Sequence, residues 1–382
     1  MSSLSDRAPN RVETGPYRVM IVDDSAVIRG FFRRAMEHDP EIEIVHSVGN
    51  GQTAIDAMAR DPVDVIVLDI EMPVMDGLSA LPGLLRIDPA VKIIMASTLT
   101  VANADISLKA LAKGAADYIP KPTTTTELHS SDTFGHELVA KVRALGRARR
   151  GLPALADPPP ANSAARARAP ARPTALYAGP VTLRAPAILP ATVLAICSST
   201  GGPQALLKVI QGLGADFNLP ILVTQHMPAT FTGILATHIA KASGREAKEG
   251  EDGETVRPGC VYVAPGDYHM LLRRGDAGPA IQLSRSAPEN FCRPSADPML
   301  RSMAAIYGNR LLTLVLTGMG HDGLEGGRVA VEAGGTLIAQ DEATSVVWGM
   351  PGAVATAGLC SAVLPIDQLA MKIREYSGRK RA

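Results

Sequence analysis

A single stretch of unusual composition constrains how this chain can fold. Residues 146–190 contain nine prolines and seven arginines, many alanines, and Asp157 as the one acidic residue. Such a segment buries too little apolar surface to offset the entropy lost on ordering, so we expect a solvated, mobile linker. Its apolar stretch 188–190 is expected to pack against the domain that follows. The 382-residue chain should therefore fold as two domains, 17–145 and 191–376, between a disordered N-terminus, 1–16, and a basic tail, 377–382.

Charge and cysteine usage exclude several classes of protein. The 38 basic and 38 acidic residues balance at neutral pH, so the chain has no global attraction to nucleic acid or to anionic membranes. The four cysteines are far apart and form no Cys-x-x-Cys pair, which argues against disulfides and a zinc site. The N-terminus lacks the apolar core of a signal peptide, and no apolar run is long enough to span a bilayer. We therefore expect a cytoplasmic protein without membrane insertion.

The first domain alternates five short apolar runs with stretches of helical periodicity. This pattern predicts a parallel sheet with helices on both faces, a doubly wound α/β fold. Four of the five runs end on polar side chains, which parallel strands would bring to one edge of the sheet. These residues are Asp23 and Asp24 after the first run, Asp69 after the third, Ser97 after the fourth and Lys121 after the fifth.

The residue types at this edge suit phosphoryl chemistry. Three nearby carboxylates repel one another unless a cation lies among them, and an oxygen site with few protein donors suits Mg²⁺. Lys121 and the Ser97 hydroxyl could then hold the oxygens of a phosphoryl group on one carboxylate. Any one aspartate could be an ordinary cap, but five polar residues at four strand ends favour a site.

On these residues the first domain resembles the receiver domain of two-component response regulators. The resemblance implies that a histidine kinase phosphorylates Asp69 and that Asp23, Asp24 and Asp69 bind Mg²⁺. It implies roles in phosphoryl binding and switching for three further residues: Ser97, Lys121 and the aromatic Tyr118. The segment Leu81-Pro82-Gly83 departs from the family pattern, which concerns local helix geometry and not the site.

The second domain opens with a strand that breaks into a helix. The apolar run 192–197 is typical of a buried strand, Ser198-Ser199-Thr200-Gly201-Gly202 allows a sharp turn, and Pro203 suits the first helical position. The turn would place hydroxyls and free N–H groups at the carboxyl edge of a second sheet. It could hold a nucleophilic serine with an oxyanion site, cradle a phosphate, or be a tight turn capped by serine, and the segment alone does not choose.

Two more strand ends of this domain carry polar residues that suit hydrolysis. His226 follows the second apolar run, and Asp322 follows a strongly apolar run at 311–316. Histidine can take a serine proton while a carboxylate holds the imidazole tautomer, although either residue alone could be structural. Glycines around Met319 free N–H groups that could face an oxyanion. Spacing leaves three rivals open: His269 and His321 as bases, and Cys197 as a thiol nucleophile, for which a packing role is favoured.

The motifs of the second domain resemble the catalytic domain of the chemotaxis protein-glutamate methylesterase family, in which a receiver is joined to a hydrolase. The matching stretches are 198–203, 225–228, 293–297, 316–323 and 339–351. The resemblance implies that Ser199 is the nucleophile, His226 the general base and Asp322 the triad carboxylate. It also implies active-site and oxyanion contacts for two residues, Thr200 and Met319. The departure is Cys197-Ser198, where the family often has smaller residues.

The resemblance implies a phosphorylation-regulated serine hydrolase of chemotaxis adaptation. Its substrates would be glutamate methyl esters of chemoreceptors, giving methanol, and it is expected to deamidate receptor glutamines, giving ammonia. Hydrolysis would need no cofactor, whereas phosphorylation of the receiver would need Mg²⁺. The expected partners are chemoreceptors and a histidine kinase but no nucleic acid, and the expected state is a monomer. A receiver docked over the sheet edge would block access, and phosphorylation would open it.

Two other classes of function remain open at this point. The serine-rich turn could bind phosphate, which would make the second domain a nucleotide-binding module. The protein could also be a catalytically silent scaffold that its receiver controls. Methanol release that depends on Ser199 distinguishes the enzyme from both.

Overall fold

The computed structural model describes residues 15–121, 132–152 and 179–378. Residues 1–14 of the expected disordered N-terminus (1–16), the centre of the expected mobile linker and residues 379–382 of the expected basic tail (377–382) lie outside these ranges. No helix within them combines the length and the apolar character that crossing a lipid bilayer requires.

The first domain is a parallel sheet in the strand order β2-β1-β3-β4-β5. Its strands are β1 (Tyr17–Val22), β2 (Ile42–Val48), β3 (Val65–Asp69), β4 (Lys92–Ser97) and β5 (Asp117–Pro120). Its helices are α1 (Ala26–Met36), α2 (Gly51–Arg60), α3 (Gly77–Ile87), α4 (Val101–Ala112) and α5 (Asp132–Arg149). Successive side chains of β1 point to opposite layers, so that Val19 and Ile21 pack with α1 and α5, and Met20 and Val22 with α2, α3 and α4.

Polar side chains start the first four helices beside the carboxyl edge of this sheet. Ser25, Asn50, Asp76 and Thr100 each accept a hydrogen bond from the backbone N–H three residues further on. These bonds satisfy N–H groups that the helices leave unpaired. The caps therefore fix where each helix leaves its loop, and α3 is continuous through Pro82.

The last helix of this domain, α5, ends at Arg149, beyond the boundary at 145 that the composition predicts. Arg150 then places its Nη2 atom 2.6 Å from Asp64 Oδ2 and donates to the Pro16 carbonyl at 2.7 Å. The first basic residues of the proline-rich stretch therefore belong to the first domain, where Arg150 binds Asp64 and the backbone of Pro16.

The second domain is a parallel sheet in the order β14-β13-β12-β6-β7-β9-β8, with β10 and β11 as a separate antiparallel hairpin. The strands are β6 (Val193–Ser198), β7 (Ile221–Gln225), β8 (Ala247–Glu249), β9 (Val261–Val263), β10 (His269–Gly275), β11 (Gly278–Ser284), β12 (Leu311–Val315), β13 (Thr336–Gln340) and β14 (Ala362–Leu364). The helices are α6 (Gly202–Leu213), α7 (Ala229–Ser243), α8 (Ala296–Tyr307), α9 (Leu324–Glu332), α10 (Met350–Thr356) and α11 (Ile366–Tyr376). The predicted doubly wound α/β fold is confirmed in both domains.

The strand order places the reactive edge at the centre of the second sheet. β6 lies between β7 and β12, so the strands after β6 are added first on one side of it and then, from β12 on, on the other side. All residues of these three strands are buried, as their continuous apolar runs indicate. Such a reversal leaves a crevice at the carboxyl ends of the strands. Ser199, His226 and Asp322 follow these three strands along the chain.

The C-terminal end of the proline-rich stretch packs differently from the prediction. Ile188 is 99% exposed and Leu189 is 41% exposed, so the expected apolar packing of 188–190 is wrong. Backbone groups make the contacts instead, because Arg184 N donates to the Cys360 carbonyl at 3.0 Å and Ala187 N to Thr336 Oγ1 at 2.8 Å.

The two domains are packed against each other. The Tyr118 ring, on β5, stacks on Phe231 of α7 with 4.4 Å between ring centroids. Gln204, on α6, donates through Nε2 to the carbonyls of Leu111 and Ala115. The first domain therefore covers the start of α6 and α7, where the second domain has its reactive edge.

Candidate active site

Backbone hydrogen bonds hold the ends of the three central strands together. Ser199 N donates to the Thr317 carbonyl at 3.1 Å, which ties the loop after β6 to the loop after β12. His226 N donates to the Ser198 carbonyl at 3.2 Å, which ties the loop after β7 to the end of β6. The predicted nucleophile and base thus lie on adjacent loops.

A buried glutamine supports the turn that carries Ser199. Gln225 Nε2 donates to the Ser199 carbonyl at 3.0 Å, and Gln225 Oε1 accepts from the Ser198 hydroxyl at 2.6 Å. A Cβ at Gly202 would collide with this glutamine side chain, and Gly201 has a φ of 73°. Both glycines are therefore required by the turn. Ser199 itself is half-buried, just before α6 begins.

The structure brings His226 and Asp322 into contact. His226 Nε2 lies 2.7 Å from Asp322 Oδ2, and the two side chains are 13% and 2% exposed. An ionised carboxylate only accepts hydrogen bonds, so Nε2 carries the proton and Nδ1 is the nitrogen available to a nucleophile. Nδ1 faces the Cys292 thiol, with 3.4 Å between nitrogen and sulfur.

Asp322 is held by the N-terminus of α8. Its carboxylate accepts from Ala296 N at 2.6 Å, Asp297 N at 3.1 Å and the Ser295 hydroxyl at 2.8 Å. Asn290 Nδ2 donates to it as well, at 2.9 Å. Burial would raise the pKa of Asp322, but His226 and these donors hold it far below the ordinary range. The carboxylate is therefore charged and fixed.

The surroundings of His226 favour its protonated form. Burial lowers the pKa of His226, but the Cys292 sulfur and the Asp322 carboxylate together raise it to about 10. In this arrangement Nδ1 faces Cys292 and is not placed to take the Ser199 proton. Among the described residues, Ser199 Oγ has no hydrogen-bond partner. The predicted nucleophile and base are therefore close in the fold but not engaged.

Two further predicted active-site residues contact the first domain. The Thr200 hydroxyl donates to Asp117 Oδ2 at 2.9 Å, and Lys141 of α5 lies 2.7 Å from the same oxygen. Met319 packs among apolar residues around α5 and lines a cleft of about 590 Å³ between the domains. The other domain thus occupies the side of the site where oxyanion contacts are predicted.

The rival residues are placed less favourably for catalysis. His269 is 1% exposed, and its two ring nitrogens are engaged with the Ala287 carbonyl and Ser295 N. His321 is exposed to solvent. Burial and the carboxylates of Asp322 and Asp297 raise the pKa of Cys197 well above its usual value, which disfavours a thiolate there.

The predicted phosphorylation edge of the first domain is also assembled. Asp23, Asp24 and Asp69 each offer an oxygen within 4.8 Å of the others. Lys121 Nζ lies 2.6 Å from Asp23 Oδ2 and 2.6 Å from Asp69 Oδ1. Burial raises the pKa of Asp69 to about 6, against the opposing effect of Lys121. Three carboxylates beside one ammonium leave a negative excess that a divalent cation fits.

The two remaining residues of that edge are buried. Ser97 is 1% exposed, and its hydroxyl accepts from the Ser107 hydroxyl at 3.1 Å. Tyr118 is 4% exposed and faces the second domain rather than the carboxylates. Tyr118 therefore lies in the domain interface, three residues before Lys121 along the chain.

Five residues that the sequence did not single out contact the predicted triad residues or the groups that hold them: Gln225, Asn290, Cys292, Ser295 and Asp297. Ser295 and Asp297 carried a usable signal, since a serine just before a helix and an acid in its first turn mark an N-terminus that can bind a carboxylate. Asn290 and Cys292 lie in a loop without periodic pattern, and nothing in the sequence indicates their contacts.

Comparisons with known proteins agree with this two-part organisation. A family model described as CheB methylesterase matches residues 194–373, and one described as response regulator receiver domain matches residues 19–131. A protein-glutamate methylesterase/protein-glutamine glutaminase of group 2 operon from Rhodospirillum centenum is 56% identical over 385 residues, covering 96% of this chain and 95% of the relative. A protein-glutamate methylesterase/protein-glutamine glutaminase from Azospirillum brasilense is 56% identical over 373 residues, covering 95% and 93%. The crystal structure of the Thermotoga maritima CheB methylesterase catalytic domain is 41% identical over 49% of this chain and 99% of that one, with a TM-score of 0.48.

Proposed function

The chain belongs to the CheB family of protein-glutamate methylesterases/protein-glutamine glutaminases, and on that premise we propose that it hydrolyses γ-glutamyl methyl esters of chemoreceptors to glutamate and methanol. The same site would convert receptor glutamines to glutamate and ammonia. The observation that carries the proposal is the His226–Asp322 hydrogen bond on the loops next to Ser199. We assign the roles of nucleophile, general base and orienting carboxylate to Ser199, His226 and Asp322.

The chemistry proceeds through an acyl-enzyme. Ser199 Oγ attacks the ester carbonyl while its proton passes to His226 Nδ1, and Asp322 stabilises the imidazolium through Nε2. The tetrahedral intermediate expels methanol, which takes the proton from His226. Water then attacks the acyl-enzyme with His226 as base, and Ser199 leaves with the proton as the γ-carboxylate is released. Proton transfer of this kind contributes about 10²–10⁴ in rate, and one oxyanion donor about 10²–10³.

The docked arrangement is the resting state of this enzyme. Nδ1 of His226 faces Cys292 instead of Ser199, and the Thr200 hydroxyl is bound to Asp117 of the receiver. Productive geometry therefore requires that the receiver move away and that Nδ1 turn to Ser199. Phosphorylation of Asp69 by a histidine kinase would shift the population toward that open arrangement.

The receiver edge has the residues that phosphorylation needs. Asp23, Asp24 and Asp69 would hold Mg²⁺, which neutralises charge during phosphoryl transfer when bound. Lys121 is placed to pair with a phosphoryl oxygen on Asp69, since it lies 2.6 Å from that carboxylate. Ser97 would supply a hydroxyl to the same group. We infer a cytoplasmic enzyme whose partners are chemoreceptors and this kinase.

Methanol release from methylated receptor membranes tests the proposal. We expect the full chain to release methanol faster with a small phosphodonor and Mg²⁺ than without. Ser199→Ala and His226→Ala should abolish release, whereas His321→Ala, a matched control at the exposed rival histidine, should retain it. Release that persists in Ser199→Ala would contradict a serine hydrolase. Nucleotide binding without methanol release would favour a phosphate-binding module instead.

A further inference from the structure

A strained turn borders the reactive side of His226. Glu289 and Cys292 exchange two backbone hydrogen bonds, of 3.1 Å and 3.0 Å, across a four-residue turn. The two central residues, Asn290 and Phe291, have φ values of 52° and 62°. Asparagine adopts this left-handed region often, but a bulky aromatic residue does so rarely. The turn therefore holds Phe291 in an unfavourable backbone conformation.

Three residues of this turn anchor it on both sides of Phe291. Asn290 Nδ2 donates to Asp297 Oδ2 at 2.8 Å and to Asp322 Oδ1 at 2.9 Å. Glu289 forms a bidentate pair with Arg301, with both distances at 2.6 Å. Cys292 Sγ lies 3.4 Å from His226 Nδ1. The backbone of Phe291 is thus fixed between a residue that binds the triad carboxylate and a residue that contacts the triad base.

The Phe291 ring adds nothing to the core. The ring is 91% exposed, whereas the other five phenylalanines of the chain are buried or half-buried. Glycine or asparagine at this position would relieve the backbone strain and would leave the same contacts of Asn290 and Cys292 in place. Folding therefore gives no reason for an aromatic side chain here.

We propose that Phe291 is a substrate-recognition residue whose ring packs on apolar side chains next to the modified glutamate of the receptor. This inference rests on the proposed function. The turn that carries Cys292 borders His226, so a receptor segment whose ester lies between Ser199 and His226 passes close to the Phe291 ring. Exposed aromatic side chains at the centre of a contact are typical anchors of protein recognition.

Positive charge on the loop between β11 and α8 matches such a substrate. Arg293 follows Cys292, and its guanidinium donates to the Ser286 carbonyl at 3.0 Å. Arg285 is exposed and stacks on Tyr268, with 4.5 Å from guanidinium carbon to ring centroid. Arg293 lies two residues after Phe291 and donates to the Arg285 carbonyl at 3.2 Å, so the loop carries two positive charges. Such a loop complements a receptor segment that carries glutamates next to its apolar residues.

Kinetics with two substrates test this role. Phe291→Ala, Phe291→Asn and Phe291→Tyr are compared in the full chain with phosphodonor, using methylated receptor membranes and the small ester N-acetylglutamate γ-methyl ester. On receptors we expect Phe291→Ala and Phe291→Asn to raise KM about tenfold with little change in kcat. Phe291→Tyr should behave as wild type, and all three variants should retain wild-type kcat/KM on the small ester. Met371→Ala, which truncates a 67% exposed side chain on α11, is the matched control.

Three outcomes would overturn the inference. Wild-type KM on receptors in both Phe291→Ala and Phe291→Asn would show that the ring does not contact the substrate. Equal losses on receptors and on the small ester would show that Phe291 acts only by holding the turn. Absence of methanol release by the wild-type chain would refute the proposed function, and this inference with it, whereas the first two outcomes leave the proposed function standing.

Discussion

In the receiver, Lys121 already bridges Asp23 and Asp69, at 2.6 Å from each carboxylate. In the hydrolase, His226 is paired with Asp322 but turned toward Cys292 rather than toward Ser199. Both sets of groups lie at the carboxyl edge of a parallel sheet, where strand ends gather polar residues. The groups of the receiver edge are thus already in contact with one another, whereas in the hydrolase His226 is not in contact with Ser199.

The difference follows from what covers each edge. The hydrolase edge is capped by the receiver, through the hydrogen bond from Thr200 to Asp117 and the stacking of Phe231 on Tyr118. The receiver edge is open near Asp24, which is exposed. The first edge is therefore open to solvent while the second is covered by the other domain, as regulation by phosphorylation would require.

Asp322→Asn should cause the largest loss of hydrolase activity, because it removes the charge that orients His226. We expect kcat for methanol release to fall about 10⁴-fold, the size seen when a triad carboxylate becomes an amide. Asp276→Asn, at an exposed carboxylate in the turn between β10 and β11, is the matched control and should keep the wild-type kcat. An unchanged kcat in Asp322→Asn would contradict the role of Asp322 in orienting His226.

Gln204→Ala should weaken the contact between the two domains without changing a residue of either site. Its Nε2 donates to two receiver carbonyls, and each such bond is worth about 0.5–1.5 kcal/mol. We expect basal methanol release, without phosphodonor, to rise about threefold to tenfold as the open population grows. Gln211→Ala, at an exposed glutamine on the same helix, should leave basal release unchanged. No rise in Gln204→Ala would contradict control by domain contact.

Cys292→Ala should make His226 a more effective general base in the unphosphorylated chain. Cys292 contributes to the raised pKa of His226, so its removal should lower that pKa. A general base works only when deprotonated, so the acidic limb of kcat/KM for the unphosphorylated chain should move to lower pH, by about one unit. Ser286→Ala, in the same loop between β11 and α8, is the control. An unmoved limb would show that Cys292 does not set the state of His226.

The same pKa shift has a consequence for stability. Because the folded pKa of His226 is about 10 and its ordinary value is 6.5, protonation stabilises the folded state fully below about pH 6.5. This contribution is lost as the pH rises through about 10. In Cys292→Ala the loss should still begin near pH 6.5 but should be smaller and complete at a lower pH, which thermal unfolding across that range would measure.

The sequence predicts those parts of the molecule that local pattern determines. Apolar runs ending on Asp23, Asp69 and Ser199 indicate buried strands that carry reactive groups at one edge, and both sheets have this arrangement. Pattern fails where a contact is distant in sequence or the element is short. β8 and β14 have three residues each and leave no periodicity.

The resting geometry of the site could not be predicted for a related reason. Cys292 and His226 are 66 residues apart, and their contact depends on a turn with two positive φ values, of which Asn290 suits one but Phe291 gives no sign of the other. The apolar stretch at 188–190 misled in the opposite way. Its residues suit packing, but Ile188 faces solvent. The neighbouring backbone contacts the second domain instead, through Ala187 N and Thr336 Oγ1.

Labelling by a serine-directed organophosphonate, followed by peptide mass spectrometry, tests most directly whether Ser199 belongs to a triad that the receiver restrains. We expect the label on Ser199 alone, with a rate that rises when a phosphodonor and Mg²⁺ are added. That rise should be absent in Asp69→Asn, whose basal labelling should equal that of the unphosphorylated wild type. A label on another residue, or a rate at Ser199 that ignores the phosphodonor, would contradict a serine hydrolase held at rest by its receiver.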